Sequence, residues 1–373
     1  MYLYLGLMVH IFISGIVITR YVTVSEKIKK FILFLFLCLP IFILTALRGP
    51  DVGNDTIVYR GLFYEFQEYG SFFENDSRFE IGFVVLSRFL SLFSNDPQIV
   101  LIVCAVITDF FIFRFIFKHS KMIWFSIFIF VGLRFMFFTM SGIRQAVSIS
   151  ILLFGYDFIV KRKPLKFYIC LAIASLFHTA VFCCIPLYFI SKFKFNMRLA
   201  GIITAMGMFV FLLFDQVLSL GLTVFPQYSA YVGGDLFGQF LFGNIILFII
   251  QALLMMIGIV CGYCFTRGEP DKKITRLETG EFREKDFLSF TALISMLLCL
   301  LALRGSTLDR FYMYYQVFMM LFLPNAALNI KNTAKRSAVV LGIVLFLILY
   351  NAVIFTLRPE WLIVFPYKFF WNA

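Results

Sequence analysis

The sequence is poor in charged residues and lacks the short motifs of several enzyme classes. Asp, Glu, Lys and Arg make up 14% of its 373 residues. It has no HExxH, GxSxG or Walker A motif, which argues against the common proteases, hydrolases and ATPases. It also has no DxD motif, so a metal-dependent transferase that uses nucleotide sugars is disfavoured. We therefore expect neither a cofactor nor a metal site.

Paired CxxC motifs and internal repeats are absent as well. The eight cysteines stand at positions 38, 104, 170, 183, 184, 261, 264 and 299. All lie inside apolar runs, so we interpret them as small buried residues and not as disulfides or metal ligands. With no repeat, low-complexity tract or soluble module, residues 1–373 are predicted to form a single polytopic membrane domain.

Apolar residues make up most of the sequence. Hydrophobic residues make up 61% of the chain and aromatic residues 19%, more than a soluble domain of this length can bury. Apolar runs of about twenty residues, enough to cross a bilayer, recur throughout. The sequence predicts an all-α polytopic integral membrane protein with about 10–12 transmembrane helices. The clear spans are 3–19, 31–47, 97–117, 122–138, 143–160, 198–214, 240–265, 286–303, 309–330 and 336–356. Residues 1–19 lack a small-residue cleavage site, so the first span is expected to be retained.

The distribution of basic residues predicts the topology. A net charge of +12 is explained by the positive-inside rule without a nucleic-acid partner. The basic loops expected in the cytoplasm are 20–30, 118–121, 161–166, 192–198, 266–286 and 331–336. All six loops can lie on one side only under two conditions. Residues 80–93 must not cross the membrane as a single span, and residues 166–190 must enter the membrane and return to the same side. We interpret 80–93 as an outer-face or re-entrant helix and 166–190 as a hairpin with His178 near its outer tip.

This topology leaves two outer-face loop regions, 48–96 and 215–239, and one long cytoplasmic loop, 266–286, which we interpret as a solvated connector. Of the 33 Lys and Arg residues, ten lie outside the six basic loops and their edges, when Arg114 is counted with the edge of loop 118–121. Nine of the ten are arginine, which grips phosphate or carboxylate with a planar fork. The ten are Arg48, Arg60, Arg78, Arg88, Arg134, Arg144, Arg304, Arg310, Arg358 and Lys368. They indicate an anion-binding outer surface, although Arg88 and Arg358 are equally explained by snorkelling to lipid head groups.

Four polar clusters carry the residues that could do chemistry. The first runs from Arg48 past Tyr59 to Glu80; taken alone, it is equally explained as a polar connecting loop. The second contains Arg144 at a helix N-terminus, where backbone N–H groups also favour an anion. The third is His178, either a catalytic group or a hydrogen-bonded core residue. The fourth spans 304–315, where Asp309 and Arg310 form either a salt bridge or part of a site.

Five segments resemble the EpsG-like family of polysaccharide polymerases. They are RGPDVGNDTIVY from Arg48, EIGF from Glu80, GIRQA from Gly142, FHTA from Phe177 and FPY from Phe365. This family belongs with the Wzy-type polymerases of bacterial capsule, exopolysaccharide and O-antigen synthesis. The resemblance covers nearly the whole chain in the same order. Ser148 departs from the small or alanine residue that is more frequent in the family at that position.

The resemblance implies a metal-independent glycosyltransferase of the bacterial inner (cytoplasmic) membrane, with its active site facing the periplasm or cell exterior. It would transfer a glycan from undecaprenyl diphosphate onto an incoming lipid-linked repeat unit. Membrane lipids surround it, and a flippase and a chain-length regulator are the implied protein partners. Candidates for binding the diphosphate are Arg48, Arg144, Arg304 and Arg310. Candidate bases are Asp55, Glu80 and His178, and Arg144 completes the catalytic set. Candidates for contacting substrate sugars are Tyr59, Gln145, Asp309, Tyr314 and Tyr315.

Two alternatives remain open from the sequence. A transporter or flippase of lipid-linked oligosaccharide would use the same arginines without making a bond, although the chain has no inverted repeat of the kind many transporters show. A membrane acyltransferase that modifies the polysaccharide would use His178 as its base. The products that accumulate in cells lacking the protein distinguish all three.

Overall fold

The computed structural model describes residues 1–68, 79–224, 242–264, 282–305 and 308–372. Within these ranges the chain is helical and no strand occurs; an isolated antiparallel bridge joins Arg48 to Phe369. The all-α prediction is confirmed. In chain order the α-helices are α1 Tyr2–Tyr21, α2 Glu26–Leu33, α3 Leu39–Ala46, α4 Thr56–Gln67, α5 Ile81–Ser91, α6 Gln98–His119, α7 Ile123–Gly132, α8 Phe135–Ser141, α9 Ile143–Val160, α10 Pro164–Ser175, α11 Leu187–Ile190, α12 Met197–Leu212, α13 Phe214–Val224, α14 Phe242–Ile259, α15 Glu284–Leu301, α16 Asp309–Gln316, α17 Met319–Ala327 and α18 Thr333–Leu357.

Among the described residues, six helical stretches are long and apolar enough to cross a membrane, or up to eight if each of two bent helix pairs is one span. The polytopic character is therefore confirmed, with fewer such stretches than the ten predicted spans. The six are Tyr2–Tyr21, Glu26–Ala46, Gln98–His119, Ile143–Val160, Asn244–Gly262 and Thr333–Leu357. The predicted span 286–303 falls in α15, whose first turn carries Glu284, Lys285 and Asp286, and the predicted span 309–330 is divided between α16 and α17.

Two predicted spans are bent. The segment predicted as 122–138 forms α7 and α8, which meet at 54°, and the segment predicted as 198–214 forms α12 and the start of α13, which meet at 78°. Between α7 and α8, Arg134 has a left-handed backbone with φ of 66°. A right-handed helix cannot continue through such a residue. Hydropathy alone cannot show this break, because the apolar run is continuous across it.

The two ambiguous segments contain only short helices, and their placement at the outer face stays a prediction. Helix α5 has 11 residues, about 16 Å at 1.5 Å per residue, which is too short for a hydrocarbon core of ~30 Å. In the segment 166–190, α10 ends at Ser175 and a 3₁₀-helix, Thr179–Cys184, begins four residues later. His178 lies at this break, where the sequence places the tip of a hairpin.

The chain divides into two compact units. Unit 1 comprises residues 1–158, 163–182 and 333–373, and unit 2 comprises residues 159–162 and 183–332. In unit 1, α1 packs against α7 and α18, α3 against α6, and α4 against α5; in unit 2, α15 packs against α12, α14, α16 and α17. The single-domain interpretation stays a prediction. Most of the predicted loops 215–239 and 266–286 lies outside the described residues.

An apolar core in unit 1 supports the four helices that carry the site described next. It is formed by side chains of α4, α5, α6 and α9, among them Phe63, Phe66, Phe83 and Leu101. Helix α4 contributes Tyr59, Leu62, Phe63 and Phe66 at spacings of three and four residues, the pattern that gives a helix one buried face. The first turns of α4, α5 and α9 are thereby held next to one another.

Candidate active site

The loop between α3 and α4 is fixed by its backbone. Gly53 has φ of +99°, a left-handed conformation that glycine adopts at little cost. A Cβ atom there would lie 2.2 Å from the carbonyl oxygen of Met140. The Gly53 N–H donates to the carbonyl of Ile363 at 2.7 Å, and the Asn54 N–H donates to the Ser141 hydroxyl at 2.9 Å. The loop is therefore held against α8 and the C-terminal segment, defined as residues 361–370.

The C-terminal segment makes further hydrogen bonds to this part of the chain. The Gly49 N–H donates to the Lys368 carbonyl at 2.8 Å, and the Phe370 N–H donates to the Leu47 carbonyl at 3.0 Å. The Tyr367 hydroxyl donates to the Leu44 carbonyl at 3.0 Å. Residues more than 300 positions apart in the sequence thus close the loop that precedes α4.

Arg48 lies inside this arrangement and not on its surface. Its relative exposure is 1%, and its guanidinium donates to the carbonyl of Thr45. Gln98 at the start of α6 donates to the Arg48 carbonyl at 3.2 Å. Burial lowers the pKa of Arg48 to about 10, so the side chain remains charged at neutral pH. Arg48 anchors the loop, and its contact with a diphosphate stays a prediction.

Arg144 and Glu80 form an ion pair at the first turn of α9. Arg144 Nη1 donates to Glu80 Oε2, and Arg144 Nε donates to the Tyr59 hydroxyl at 3.3 Å. The guanidinium also lies 4.6 Å from the ring centroid of Phe79, a cation–π distance. The Arg144 and Glu80 side chains are each 16% exposed. The pair is therefore shielded from bulk water yet remains within reach of a ligand.

The second carboxylate oxygen of Glu80 meets the break before the 3₁₀-helix. The Thr179 N–H donates to Glu80 Oε1 at 3.2 Å. Two residues after Glu80, the Gly82 N–H donates to the Leu176 carbonyl at 2.8 Å. A Cβ atom on Gly82 would lie 2.6 Å from that carbonyl oxygen, closer than real Cβ atoms approach an oxygen. A glycine at position 82 thus permits the close approach that brings Glu80 to Thr179.

His178 and Gln145 flank this ion pair along the chain. Both are buried, and His178 directly precedes the Thr179 N–H that Glu80 accepts. The Ser148 hydroxyl donates to the His178 carbonyl at 3.5 Å, so the residue that departs from the family pattern supports the break. Gln145 follows Arg144 in the first turn of α9.

Tyr59 is buried beside Arg144. Asp55, four residues before Tyr59 in the sequence, is exposed. Burial raises the pKa of Tyr59, and the Arg144 guanidinium opposes that rise. Its ring lies 5.0 Å from the Phe83 ring, so Phe83 supports the side chain that accepts a hydrogen bond from Arg144. Asp55 stands before the first residue of α4, and its carbonyl accepts a hydrogen bond from the Tyr59 N–H at 2.9 Å.

The EpsG family model matches residues 1–369 of the chain. The chain belongs to the EpsG family. Neither a curated protein nor a solved structure matches it. Four of the five segments that carry the resemblance to EpsG-like proteins meet at the Glu80–Arg144 ion pair: those from Glu80, Gly142 and Phe177, and the one from Arg48 through its last residue, Tyr59. The start of the Arg48 segment and the segment from Phe365 meet where the C-terminal segment closes the loop.

The remaining predicted site residues of this EpsG-family protein lie in unit 2. Arg304 Nη2 is 2.7 Å from Asp215 Oδ2; the Arg304 side chain is partly exposed and the Asp215 side chain is largely exposed. Asp309 and Arg310 open α16 and are exposed, whereas Tyr314 and Tyr315 are buried. The Tyr315 hydroxyl donates to the Cys183 carbonyl at 2.7 Å. Their contacts with substrate stay predictions.

Sequence reasoning missed two buried aspartates inside predicted spans. Asp109 in α6 accepts a hydrogen bond from the Thr45 hydroxyl at 2.6 Å. Asp157 in α9 pairs with Arg114, Lys118 and His119 of α6. Both were detectable, because an acidic residue within an apolar run is costly unless it has a role.

A metal site was not expected in this EpsG-family chain. Among the described residues, no group of three or more His, Cys, Asp and Glu side chains is arranged to hold a metal ion. Several ligands of these types are what a structural or catalytic metal needs. The expectation of metal-independent chemistry stays a prediction.

Proposed function

We propose that this EpsG-family membrane protein polymerises lipid-linked polysaccharide repeat units. Family membership and several apolar helices fit a multi-pass membrane protein of the polysaccharide polymerase type. The donor would be a growing glycan on undecaprenyl diphosphate, and the acceptor would be an incoming lipid-linked repeat unit. The observation that carries the proposal is the Glu80–Arg144 pair, because it joins a phosphate-binding fork to a carboxylate in a shielded site.

The reaction needs an acceptor hydroxyl and a leaving diphosphate. The acceptor oxygen attacks the anomeric carbon of the donor glycan, and the bond from that carbon to the diphosphate oxygen breaks. The diphosphate leaves with the bonding electrons, and the hydroxyl proton passes to a base. A diphosphate is already a good leaving group, so stabilising its charge matters more than protonating it.

Arg144 is the proposed electrostatic group. Its Nε is held by Tyr59 and its Nη1 by Glu80, which fixes the plane of the guanidinium. Arginine forks match phosphate oxygens bidentately, and the start of α9 adds the positive end of a helix dipole. A diphosphate bound at this turn would therefore contact a guanidinium that is already held in place.

Glu80 is the proposed base. A general base must be ionised and within hydrogen-bond reach of the hydroxyl that it deprotonates. Glu80 is anchored through Oε1 to the Thr179 N–H and through Oε2 to Arg144, so donor and acceptor groups would be brought to neighbouring positions. Asp55, His178 and Gln145 are proposed to line the surrounding site and contact sugar.

The charge distribution supports placing this site on the outer face of the bacterial inner membrane. The site lies at the first turn of α9, whereas the basic residues Arg114 and Lys118 lie near the far end of α6. By the positive-inside rule, the basic end faces the cytoplasm. A flippase that delivers repeat units and a regulator of chain length are the proposed partners.

The test is to replace Arg144 with alanine in cells that make the polysaccharide and to separate the lipid-linked pool by size and membrane side. A polymerase predicts single repeat units on the outer leaflet and no long chains. Arg358→Ala is the matched control, because Arg358 pairs with Glu360 at 2.6 Å and both side chains are about 60% exposed.

Each other outcome contradicts the proposal. Long chains that persist unchanged with Arg144→Ala would exclude a polymerase role for this site. Repeat units trapped on the cytoplasmic leaflet would identify a flippase. Full-length chains that lack only an acyl substituent would identify an acyltransferase.

A further inference from the structure

A cluster of four ionisable side chains lies at the end of α6 and α9 opposite the Glu80–Arg144 pair. We call it the basic cluster: Arg114, Lys118, His119 and Asp157. Lys118 Nζ lies 2.5 Å from Asp157 Oδ2, His119 Nε2 lies 2.6 Å from Asp157 Oδ1, and Arg114 Nη2 also pairs with Oδ2. Arg114 and Lys118 are four residues apart, so they occupy one face of α6.

The charges of the basic cluster do not balance. One carboxylate faces two permanent cations and an imidazole, which leaves at least one positive charge in excess. Asp157 is 4% exposed, whereas the Arg114 and Lys118 side chains are 28% and 40% exposed. Arg114 Nη1 is buried without a hydrogen-bond partner among the described residues. An anion that contacts the exposed parts of Arg114 and Lys118 would supply the missing negative charge.

An apolar groove leads away from the cluster along α6. It has a volume of about 350 Å³ and is lined by five phenylalanines, including Phe34 and Phe117, together with Asp109 and Arg114. Phe34 opens the π-helix Phe34–Cys38, a wider turn that is frequent at functional sites. Arg114 belongs to both the groove and the basic cluster, so the two features are continuous.

The position of the groove matches one leaflet of a bilayer. Asp109 lies ten residues before His119, the last residue of α6, which is about 15 Å at 1.5 Å per residue and half of a ~30 Å core. From Val106 to Phe117 the groove extends about 16 Å on the same measure. It therefore runs from mid-membrane to the head-group region, with its cations at the head-group end.

We infer that the groove and the basic cluster together bind one anionic glycerophospholipid from the leaflet at that end of the chain. Its phosphate contacts Arg114 and Lys118, and one acyl chain lies along the phenylalanines. The excess positive charge selects a lipid with net negative charge over a zwitterionic one. The one-leaflet length selects an acyl chain over a long polyprenyl chain. This site is separate from the proposed transfer reaction.

The test uses the full-length protein, purified in detergent and stripped of lipid, in native mass spectrometry. Equal amounts of phosphatidylglycerol and phosphatidylcholine with identical acyl chains are added. The wild type is expected to retain phosphatidylglycerol preferentially. The double variant Arg114→Gln/Lys118→Gln should bind it about tenfold more weakly, because the charge-assisted contacts to phosphate are lost. Lys335→Gln removes an exposed charge elsewhere in unit 1 and should not change the preference.

Two further variants keep the result decisive if the double variant does not fold. Asp157→Asn removes the competing carboxylate and should raise retention of phosphatidylglycerol, which a purely structural salt bridge would not do. Val106→Trp fills the groove, whose wall includes the 46% exposed Val106, and should lower retention of both lipids. An unchanged preference in Lys118→Gln would overturn the inference. So would displacement of phosphatidylglycerol by an equal amount of a polyprenyl phosphate.

Discussion

Helix α9 takes part in an ionic group near each of its ends, and the two groups are built differently. At one end, the Glu80–Arg144 pair joins α4, α5, α9 and the break at residues 176–178. At the other end, the basic cluster takes three of its four members from one six-residue stretch of α6. The first arrangement depends on turns and backbone contacts, and the second depends on two regular helices lying side by side.

The two ionic groups therefore suit different tasks. The pair at the first end has balanced charge, two anchored carboxylate oxygens and a fixed guanidinium plane, which suits a group that must meet reacting atoms within about half an ångström. The basic cluster has excess charge and partly exposed cations, which suits a mobile lipid head group. We expect substitutions at the first end to change rate and substitutions at the second to change stability and lipid retention.

The largest effect is expected for Glu80→Gln. The amide keeps the shape of the side chain but cannot accept the hydroxyl proton, so the rate of chain extension should fall about 10²- to 10⁴-fold. The rate is measured with purified protein in vesicles that contain labelled lipid-linked repeat units. Glu360→Gln, an exposed carboxyl paired with Arg358, is the control. Wild-type extension by Glu80→Gln would rule out Glu80 as the base.

A smaller loss is expected for Gly82→Ala. The added Cβ atom would lie 2.6 Å from the Leu176 carbonyl oxygen, so α5 must shift and carry Glu80 away from Thr179. A misplacement of about 1 Å can cost roughly 100-fold in rate, and we expect kcat to fall while KM for the donor changes little. Gly61→Ala on α4, where a Cβ atom meets nothing within 4 Å, should retain activity. Equal activity of the two variants would show that the close approach is unimportant.

Tyr59→Phe should have a milder effect on the same rate. It removes the hydroxyl that accepts from Arg144 Nε at 3.3 Å and keeps the ring against Phe83. Hydrogen bonds to charged groups contribute about 1.5–3 kcal/mol, so a loss of about tenfold or somewhat more is expected. Tyr64→Phe, on the exposed face of α4, serves as the control. A loss in Tyr64→Phe as large as that in Tyr59→Phe would remove the case for Tyr59 as a positioning residue.

The smallest effect on rate is expected at the other end of unit 1. Asp157→Asn leaves the cations of the basic cluster without their carboxylate, and breaking a buried pair costs about 3–5 kcal/mol. Because Arg114 and Lys118 are partly exposed, we expect about 1–3 kcal/mol of lost stability after solvent screening. Thermal unfolding in detergent measures it, with the exposed Asp51→Asn as control. If folded Asp157→Asn lost much of its chain-extension rate, the prediction that the basic cluster affects stability and not rate would be wrong.

Much of the helical framework was predictable from apolar runs. The spans predicted at 97–117, 143–160 and 336–356 correspond to α6, α9 and α18 within a few residues. Placing all the basic loops on one side predicted that residues 80–93 do not cross the membrane as a single span, and α5 is too short to span it. These features depend on hydropathy and length, which a sequence displays directly.

Members of the candidate site could be proposed from the sequence, but the contacts between them could not. Arg144, Glu80 and Tyr59 were candidates, yet the hydrogen bond from Thr179 to Glu80 joins residues 99 positions apart through a backbone N–H. The burial of Arg48 and its backbone bridge to Phe369 could not be predicted either, and its contact with a diphosphate stays a prediction. Neither relation leaves a periodic signal, since each depends on an irregular backbone and on packing between distant segments.

The hydrogen bond between the Gly53 N–H and the Ile363 carbonyl can form only late in the synthesis of the chain. The two residues are 310 positions apart (363 minus 53). At about 5–20 residues per second, roughly 15–60 s separate their emergence from the ribosome. A partly synthesised chain can therefore contain every helix through α18 and still lack the contacts that close the loop before α4. That loop closes only after residues 361–370 have been made.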